Sequence, residues 1–78
     1  MARYYIDLIN GHGLVLDDVG QEFTSRESAS REAVHVLPEI ALDEAKDDAG
    51  LSISVKVRDE SGQYFFEANL SLVARWLD

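Results

Sequence analysis

The sequence predicts an α+β fold, in which a four-stranded antiparallel sheet carries one long helix on one face in the order β-β-α-β-β. Two observations lead to this class. Apolar and polar residues alternate in segments near both ends of the chain, and apolar residues in the middle recur at helical spacing. The 78 residues suffice for one hydrophobic core, so we treat residues 1–78 as a single domain. One helix can cover only one face of such a sheet.

The first part of the chain predicts a hairpin. Residues 3–10 are aromatic and β-branched and indicate a strand, and residues 10–13 (NGHG) tolerate the positive φ angles of a tight turn. Residues 14–16 are expected to return as the second strand. A turn or bulge at 17–20 follows, after which residues 21–23 can briefly resume extended structure.

Residues 24–49 predict the helix. Thr24 and Glu27 have the spacing of a capping box at its start. The buried stripe is expected to contain Ala29, Ala33, Val36, Leu37 and Ile40. Pro38 lies opposite this stripe, so we expect it to face water and to kink one helix rather than divide it. Acidic side chains near the end oppose the helix dipole, which predicts fraying from about Ala45.

The last part of the chain predicts a second hairpin, after Gly50 ends the helix. Residues 51–58 and 64–72 alternate between apolar and polar, and a turn at 59–62 separates them. Residues 73–77 could extend the last strand or form a short helical turn. The pairing order of the strands stays open. The face under the helix is expected to hold Tyr4, Ile6, Leu8, Ile53, Val55, Val57, Tyr64, Phe66, Ala68 and Leu70.

Charge and composition exclude several classes of protein. Fifteen acidic against seven basic residues give a net charge of −8, which argues against nucleic-acid and membrane partners because both are recognised mainly by Lys and Arg. The chain has no cysteine, which excludes a disulfide framework and a thiolate site. Its first residues lack the uninterrupted apolar core of a signal peptide, so we expect a cytoplasmic protein.

No segment predicts catalytic, cofactor-binding or metal-binding residues, and we expect a protein that is not an enzyme. Glu32 and His35 have the Glu-x-x-His spacing of di-metal carboxylate proteins, and Glu39 and Asp43 fall on the same side of the helix. These residues lie on the polar side of a single helix, without the second copy that such sites require. We interpret them as a solvated acidic face.

The sheet face turned away from the helix is the candidate interaction surface. It is expected to contain Arg3, Tyr5, Ile9, Lys56, Arg58 and Phe65. Tyr, Phe and Arg are favoured in protein interfaces, which predicts a protein-interaction module, most simply a homodimer that associates through this face or an edge strand. Aromatic and basic residues on a bare sheet also bind single-stranded RNA, so a nucleic-acid-linked regulator is the alternative.

The order of the segments resembles a known family. RYYIDL at 3–8 is followed by a Gly-rich turn at 11–13, DDVGQE at 17–22, an Ala/Glu/Arg-rich helix and VRDESG at 57–62. This layout is similar to the short proteobacterial, rhizobial-type proteins grouped as domain of unknown function 6894, over almost the whole chain. The resemblance implies the fold and a bacterial source, and it implies no activity.

A hairpin followed by a capped, Ala-rich helix is also similar to the HicB antitoxins of HicA–HicB pairs. This chain departs from them at residues 21–24, where a Pro/Gly-rich segment is expected, and it lacks their basic C-terminal DNA-binding module. The second resemblance implies an antitoxin-like role as part of the regulator alternative.

Overall fold

The computed structural model describes residues 1–44 and 50–78 and confirms the α+β class. The elements are β1 (Ala2–Asn10), β2 (Gly13–Val15), β3 (Gln21–Phe23), α1 (Arg26–Glu44), β4 (Leu51–Arg58) and β5 (Tyr64–Leu72). Within these residues the sheet has five strands instead of four, because residues 21–23 pair with β1 as a strand of their own. The predicted helix beyond Glu44, with its fraying from Ala45, lies outside the described residues.

The sheet is antiparallel, with the order β2-β1-β4-β5 and with β3 also paired to β1. The two hairpins therefore join through their first strands, where Ile6 lies opposite Val57. On its other edge, β1 pairs first with β2 and then with β3, since Leu8 lies opposite Val15 and Tyr4 lies opposite Gln21. One edge of the sheet is thus built from two short strands with a loop at residues 16–20 between them.

The core lies between α1 and the sheet, chiefly over β4 and β5. Its buried apolar residues are Tyr4, Ala29, Ala33, Leu37, Ala41, Ile53, Val55 and Val57. Alanine at successive helical turns lets the helix backbone approach the sheet closely, while β4 supplies the branched side chains that fill the space. The helix continues through Pro38 as one element and Pro38 is exposed, as the sequence predicts.

The helix cap lies one residue later than predicted. The Oγ atom of Ser25 accepts a hydrogen bond of 3.1 Å from the backbone N–H of Ser28, and the Oγ atom of Ser28 accepts one of 3.3 Å from the N–H of Ser25. Phe23 still pairs with Ala2 in the sheet, so Thr24 is needed to turn the chain before the helix begins. The capping box is therefore Ser25 and Ser28, and the prediction of Thr24 with Glu27 is wrong.

A β-bulge at the start of β5 corrects the predicted placement of two aromatic residues. Val57 lies opposite Phe66 and Arg58 lies opposite Tyr64, so Phe65 is an extra residue in β5. One extra residue reverses which side chains point to each face. Tyr64 therefore lies on the face away from the helix, and Phe65 packs against the core beside Phe66. The predictions for Tyr64 and Phe65 are both wrong for this one reason.

Residues 73–78 form neither the strand extension nor the helical turn that the sequence left open. Their apolar side chains are exposed, Val73 by 79%, Trp76 by 80% and Leu77 by 89%. In the described part of the chain, no helix combines the length and the apolar character that crossing a membrane requires.

Candidate functional site

The open face, the side of the sheet turned away from α1, brings together all of the predicted interaction residues except Phe65. These are Arg3, Tyr5 and Ile9 on β1 with Lys56 and Arg58 on β4. Phe65 lies on the helix side, where its ring meets that of Tyr4 edge-on at a centroid distance of 5.6 Å.

A buried carboxylate lies at the centre of this face. Asp7 is 0% exposed. Its oxygens accept hydrogen bonds from Nε and Nη2 of Arg58 at 2.8 and 3.3 Å, and from the backbone N–H of Asp17 at 2.8 Å. The hydroxyl of Tyr64 donates a further bond. Burying a charge is costly unless it is paired and hydrogen-bonded, and these donors meet that requirement.

Asp17 fills the gap in the edge between β2 and β3. Its Oδ2 atom accepts a hydrogen bond of 3.1 Å from the N–H of Ile6 in β1. Its Oδ1 atom accepts from the N–H groups of Val19 at 3.1 Å and Gly20 at 2.9 Å. The side chain thus replaces a missing ladder partner for β1 and shapes the loop at 16–20. Its carbonyl oxygen also accepts from Nη2 of Arg58 at 2.7 Å, which ties the loop to β4.

The charges of this network are stabilised within the chain. Burial acts to raise the pKa of Asp7, but hydrogen bonds from Arg58, Tyr64 and the backbone of Asp17 hold it below its ordinary value of 3.8. Burial likewise opposes the backbone N–H bonds that lower the pKa of Asp17. The hydrogen bond to Asp7, followed by burial, raises the pKa of Tyr64 above 10.0. At neutral pH both carboxylates are ionised and Tyr64 is a neutral donor.

Tyr5 is covered from two sides. The guanidinium carbon of Arg58 lies 4.5 Å from the centroid of its ring, a cation–π contact. Gly20, with φ of +73°, lies so close that a Cβ atom at this position would be 2.7 Å from Cε1 of Tyr5. Glycine is therefore required both by the backbone angle and by the approach of the ring.

Two further basic residues of the open face also have contacts within the chain. Nη1 of Arg3 donates to the carbonyl oxygen of Val19 at 3.0 Å. Nζ of Lys56 lies 5.4 Å from the ring centroid of Tyr64. The basic side chains that the sequence predicts to bind a partner therefore contact the loop at 16–20 and the start of β5 within the chain.

A second surface lies at the outer edge of the sheet, on the helix side. A groove of about 500 Å³ runs between the first half of α1 and the start of β5. Its lining includes Arg26, Arg31, Val34, Phe65 and Phe66, and we call it the β5 groove. The guanidinium of Arg26 lies 4.3 Å from the ring centroid of Phe65. The groove therefore combines an apolar floor with two cationic side chains, and Glu27 and Ser30 of α1 line it as well.

Three residues of this network were not predicted as site residues from the sequence: Asp7, Asp17 and Tyr64. A signal for Asp7 was present, since aspartate is depleted in strands and Asp7 stands between Tyr5 and Ile9 on one strand face. A buried acid in that position requires a cationic partner, which Arg58 supplies.

The helix residues with metal-ligand spacing are exposed: Glu32, His35, Glu39 and Asp43. In the ranges 1–44 and 50–78, no three His, Cys, Asp or Glu side chains are grouped so that they could hold a metal ion.

Comparison with known proteins identifies the family. No curated protein matches the chain. No solved structure matches it either. A family model described as a domain of unknown function (DUF6894) matches residues 3–71, which include all five strands and the helix apart from the first and last residue of the sheet. The resemblance seen in the sequence is confirmed, and the chain belongs to the DUF6894 family.

Proposed function

We propose that this protein is a non-enzymatic self-association module that forms a homodimer through the free edge of β5. The observation that carries the proposal is the position of this nine-residue strand at the end of the sheet order, where it pairs with β4 on one side only among the described residues. The backbone N–H and C=O groups along such an edge are a template for another strand.

The two edges of the sheet differ in how well they are protected against pairing with a strand of another chain. Proteins blunt an edge with short strands, interruptions and charges. The opposite edge has such features, since β2 and β3 contain three residues each and the loop at 16–20 separates them. Within β5 the single charged side chain is Glu67, and the bulge lies at its first residues. The edge of β5 is therefore the one suited to pairing with a second copy.

The open face is less suited to be the interface. Arg58 is held by Asp7 and Asp17, and Arg3 is held by Val19. A partner on this face would have to compete with these contacts. Of the two surfaces that the sequence suggests for self-association, the contacts favour the edge strand over the open face.

A matched pair of variants tests the proposal. Ser52 and Ser71 are cross-strand neighbours, Ser52 on the interior strand β4 and Ser71 on the edge strand β5. We expect light scattering after size exclusion to give a dimer for the unmodified chain. Ser71→Lys should weaken the dimer at least about tenfold, because lysine on an edge opposes strand pairing. Ser52→Lys should leave the dimer intact.

Two outcomes would contradict this proposal. A monomeric mass at every concentration would exclude self-association. Equal weakening of the dimer by Ser52→Lys and Ser71→Lys would show that the interface is the open face and not the edge of β5.

The cytoplasmic location expected from the sequence is part of the proposal, and the absence of cysteine from the chain supports it.

A nucleic-acid-linked or antitoxin-like regulator is the second candidate. The observation that favours it is on the open face, where the cationic side chain of Lys56 lies beside the aromatic ring of Tyr64, which is 43% exposed. The net charge of −8 opposes it. Absence of retardation of single- and double-stranded probes in a low-salt gel shift would remove it.

A further inference from the structure

We propose that in this dimer residues 73–76 continue β5 as a strand along the edge of the partner and place Trp76 in the partner's β5 groove. The inference rests on the proposed self-association. It specifies which segment occupies the β5 groove and in which register the two β5 strands pair.

The side-chain pattern of β5 continues into the tail. Phe66, Ala68 and Leu70 are half-buried on the helix side, whereas Glu67, Asn69 and Ser71 are exposed. If the strand is prolonged, the period of two places Ala74 and Trp76 on the helix side as well. Among the residues that the structure describes, no strand pairs with this segment in the single chain, and Trp76 is 80% exposed. The tail thus carries the pattern of a half-buried strand without a surface that buries it.

One antiparallel register matches side chains on both faces. When Ser71 lies opposite its own copy, Phe66 lies opposite Trp76 of the partner subunit, and Glu67 lies opposite Arg75 of the partner subunit. Apolar groups then meet on the helix side and opposite charges meet on the other side, which are the cross-strand pairs that stabilise sheets.

Neighbouring registers lose these matches. A shift by one residue sets the helix side of one strand against the outer side of the other. Shifts by two residues set Glu67 opposite Val73 or Leu77, so that its carboxylate no longer faces Arg75. The register centred on Ser71 is therefore the one that the charges and the apolar pattern select together.

The chemistry of the groove suits an indole. In a continuous antiparallel sheet, both copies of α1 lie on the same side, so Trp76 of the partner subunit reaches Phe66 from the groove side. Val34 on α1 is 44% exposed there, and Arg26 and Arg31 line the same space. An indole offers a large apolar surface and the best ring face for a guanidinium.

Trp76 is the one tryptophan of the chain, so its emission reports this contact directly. We expect the emission to shift to shorter wavelength, and quenching by acrylamide to fall, over the same concentration range in which the mass doubles. Val34→Asp should abolish the shift and weaken the dimer. Leu42→Asp is the control, since Leu42 is 84% exposed on the same helix and lines a different groove.

Charge reversal tests the register. Glu67→Arg and Arg75→Glu should each weaken the dimer about tenfold, because like charges then lie opposite each other. An equimolar mixture of the two variants should restore dimer formation, because each charge again faces an opposite charge on the other chain.

The outcomes separate this inference from the proposal on which it rests. A dimer whose Trp76 emission does not change with concentration, or a variant mixture without restored association, would overturn the docked tail and leave self-association standing. A monomer at every concentration would overturn both.

Discussion

Asp7 joins parts of the chain that are far apart in the sequence. Its carboxylate receives hydrogen bonds from the loop at 16–20, from Arg58 at the end of β4 and from Tyr64 at the start of β5. Because the group is fully buried, these donors take the place of water. One side chain therefore organises the open face, although that face lacks the apolar core that organises the other.

We expect Asp7→Asn to lower the free energy of unfolding by about 2–4 kcal/mol. The change keeps the shape but leaves the guanidinium of Arg58 without its counter-ion. The side chain of Arg58 is 20% exposed, which moderates the loss. Urea denaturation measures it, with Asp18→Asn at an exposed neighbouring position as the control. Equal stability of the two variants would show that the ion pair contributes nothing.

The N-cap formed by Ser25 is expected to stabilise the start of α1. Ser25→Ala removes the acceptor for the N–H of Ser28, and we expect it to cost about 1 kcal/mol, the usual value for an N-cap. Thr24→Ala should cost clearly less, because the hydroxyl of Thr24 makes a long contact of 3.4 Å with the hydroxyl of Ser28 and caps no backbone N–H of the helix within the described residues. Thermal unfolding of both variants checks this order. A larger loss of stability for Thr24→Ala than for Ser25→Ala would show that Thr24 is the N-cap residue, as the sequence alone predicts.

Most elements were predictable because their patterns are long. Residues 51–58 alternate without interruption, and the helix has alanine or a larger apolar residue at every turn. The bulge was not predictable, since Phe65 and Phe66 are both large and apolar and fit either register. Likewise, two pairs of residues, Thr24 with Glu27 and Ser25 with Ser28, have the spacing of a capping box.

Protonation of the open-face network governs the stability of the whole molecule as a function of pH. The folded-state pKa values of Asp7 and Asp17 lie below 3.8, so their contribution is present above that pH and is lost as the pH falls through the folded values. The pKa of Tyr64 is raised above 10.0, so its contribution is present below that pH and is lost as the pH rises through the raised value.

We therefore expect the free energy of unfolding to fall at both ends of a pH series of urea titrations. Tyr64→Phe should reduce the fall at alkaline pH and leave a fall at acidic pH, because the hydroxyl is gone while both carboxylates remain. An alkaline fall of unchanged size in Tyr64→Phe would show that the hydrogen bond to Asp7 does not carry the effect.

Apart from the bulge in β5, the sequence predicts which side chains of a strand share a face, but it does not predict which strand lies beside it. Alternation depends on the side chains of a single strand, whereas order depends on contacts between distant segments. The candidate site shows the same limit. Alternation identified five residues of the open face, whereas the place of Tyr64 and the network around Asp7 depend on the bulge in β5 and on the pairing of β1 with β4.

The central pairing of β1 with β4 also sets the order of events during synthesis. About 40 residues separate the two strands, which corresponds to about 2–8 s of elongation at ~5–20 residues per second. If the hairpin of β1 and β2 forms before β4 is synthesised, the other edge of β1 is unpaired during this interval, and Asp7 stays hydrated because Arg58 does not yet exist to pair with it. A hydrated carboxylate in the middle of this strand keeps its surface hydrated. It therefore opposes association with neighbouring nascent chains until β4 is synthesised and pairs with β1.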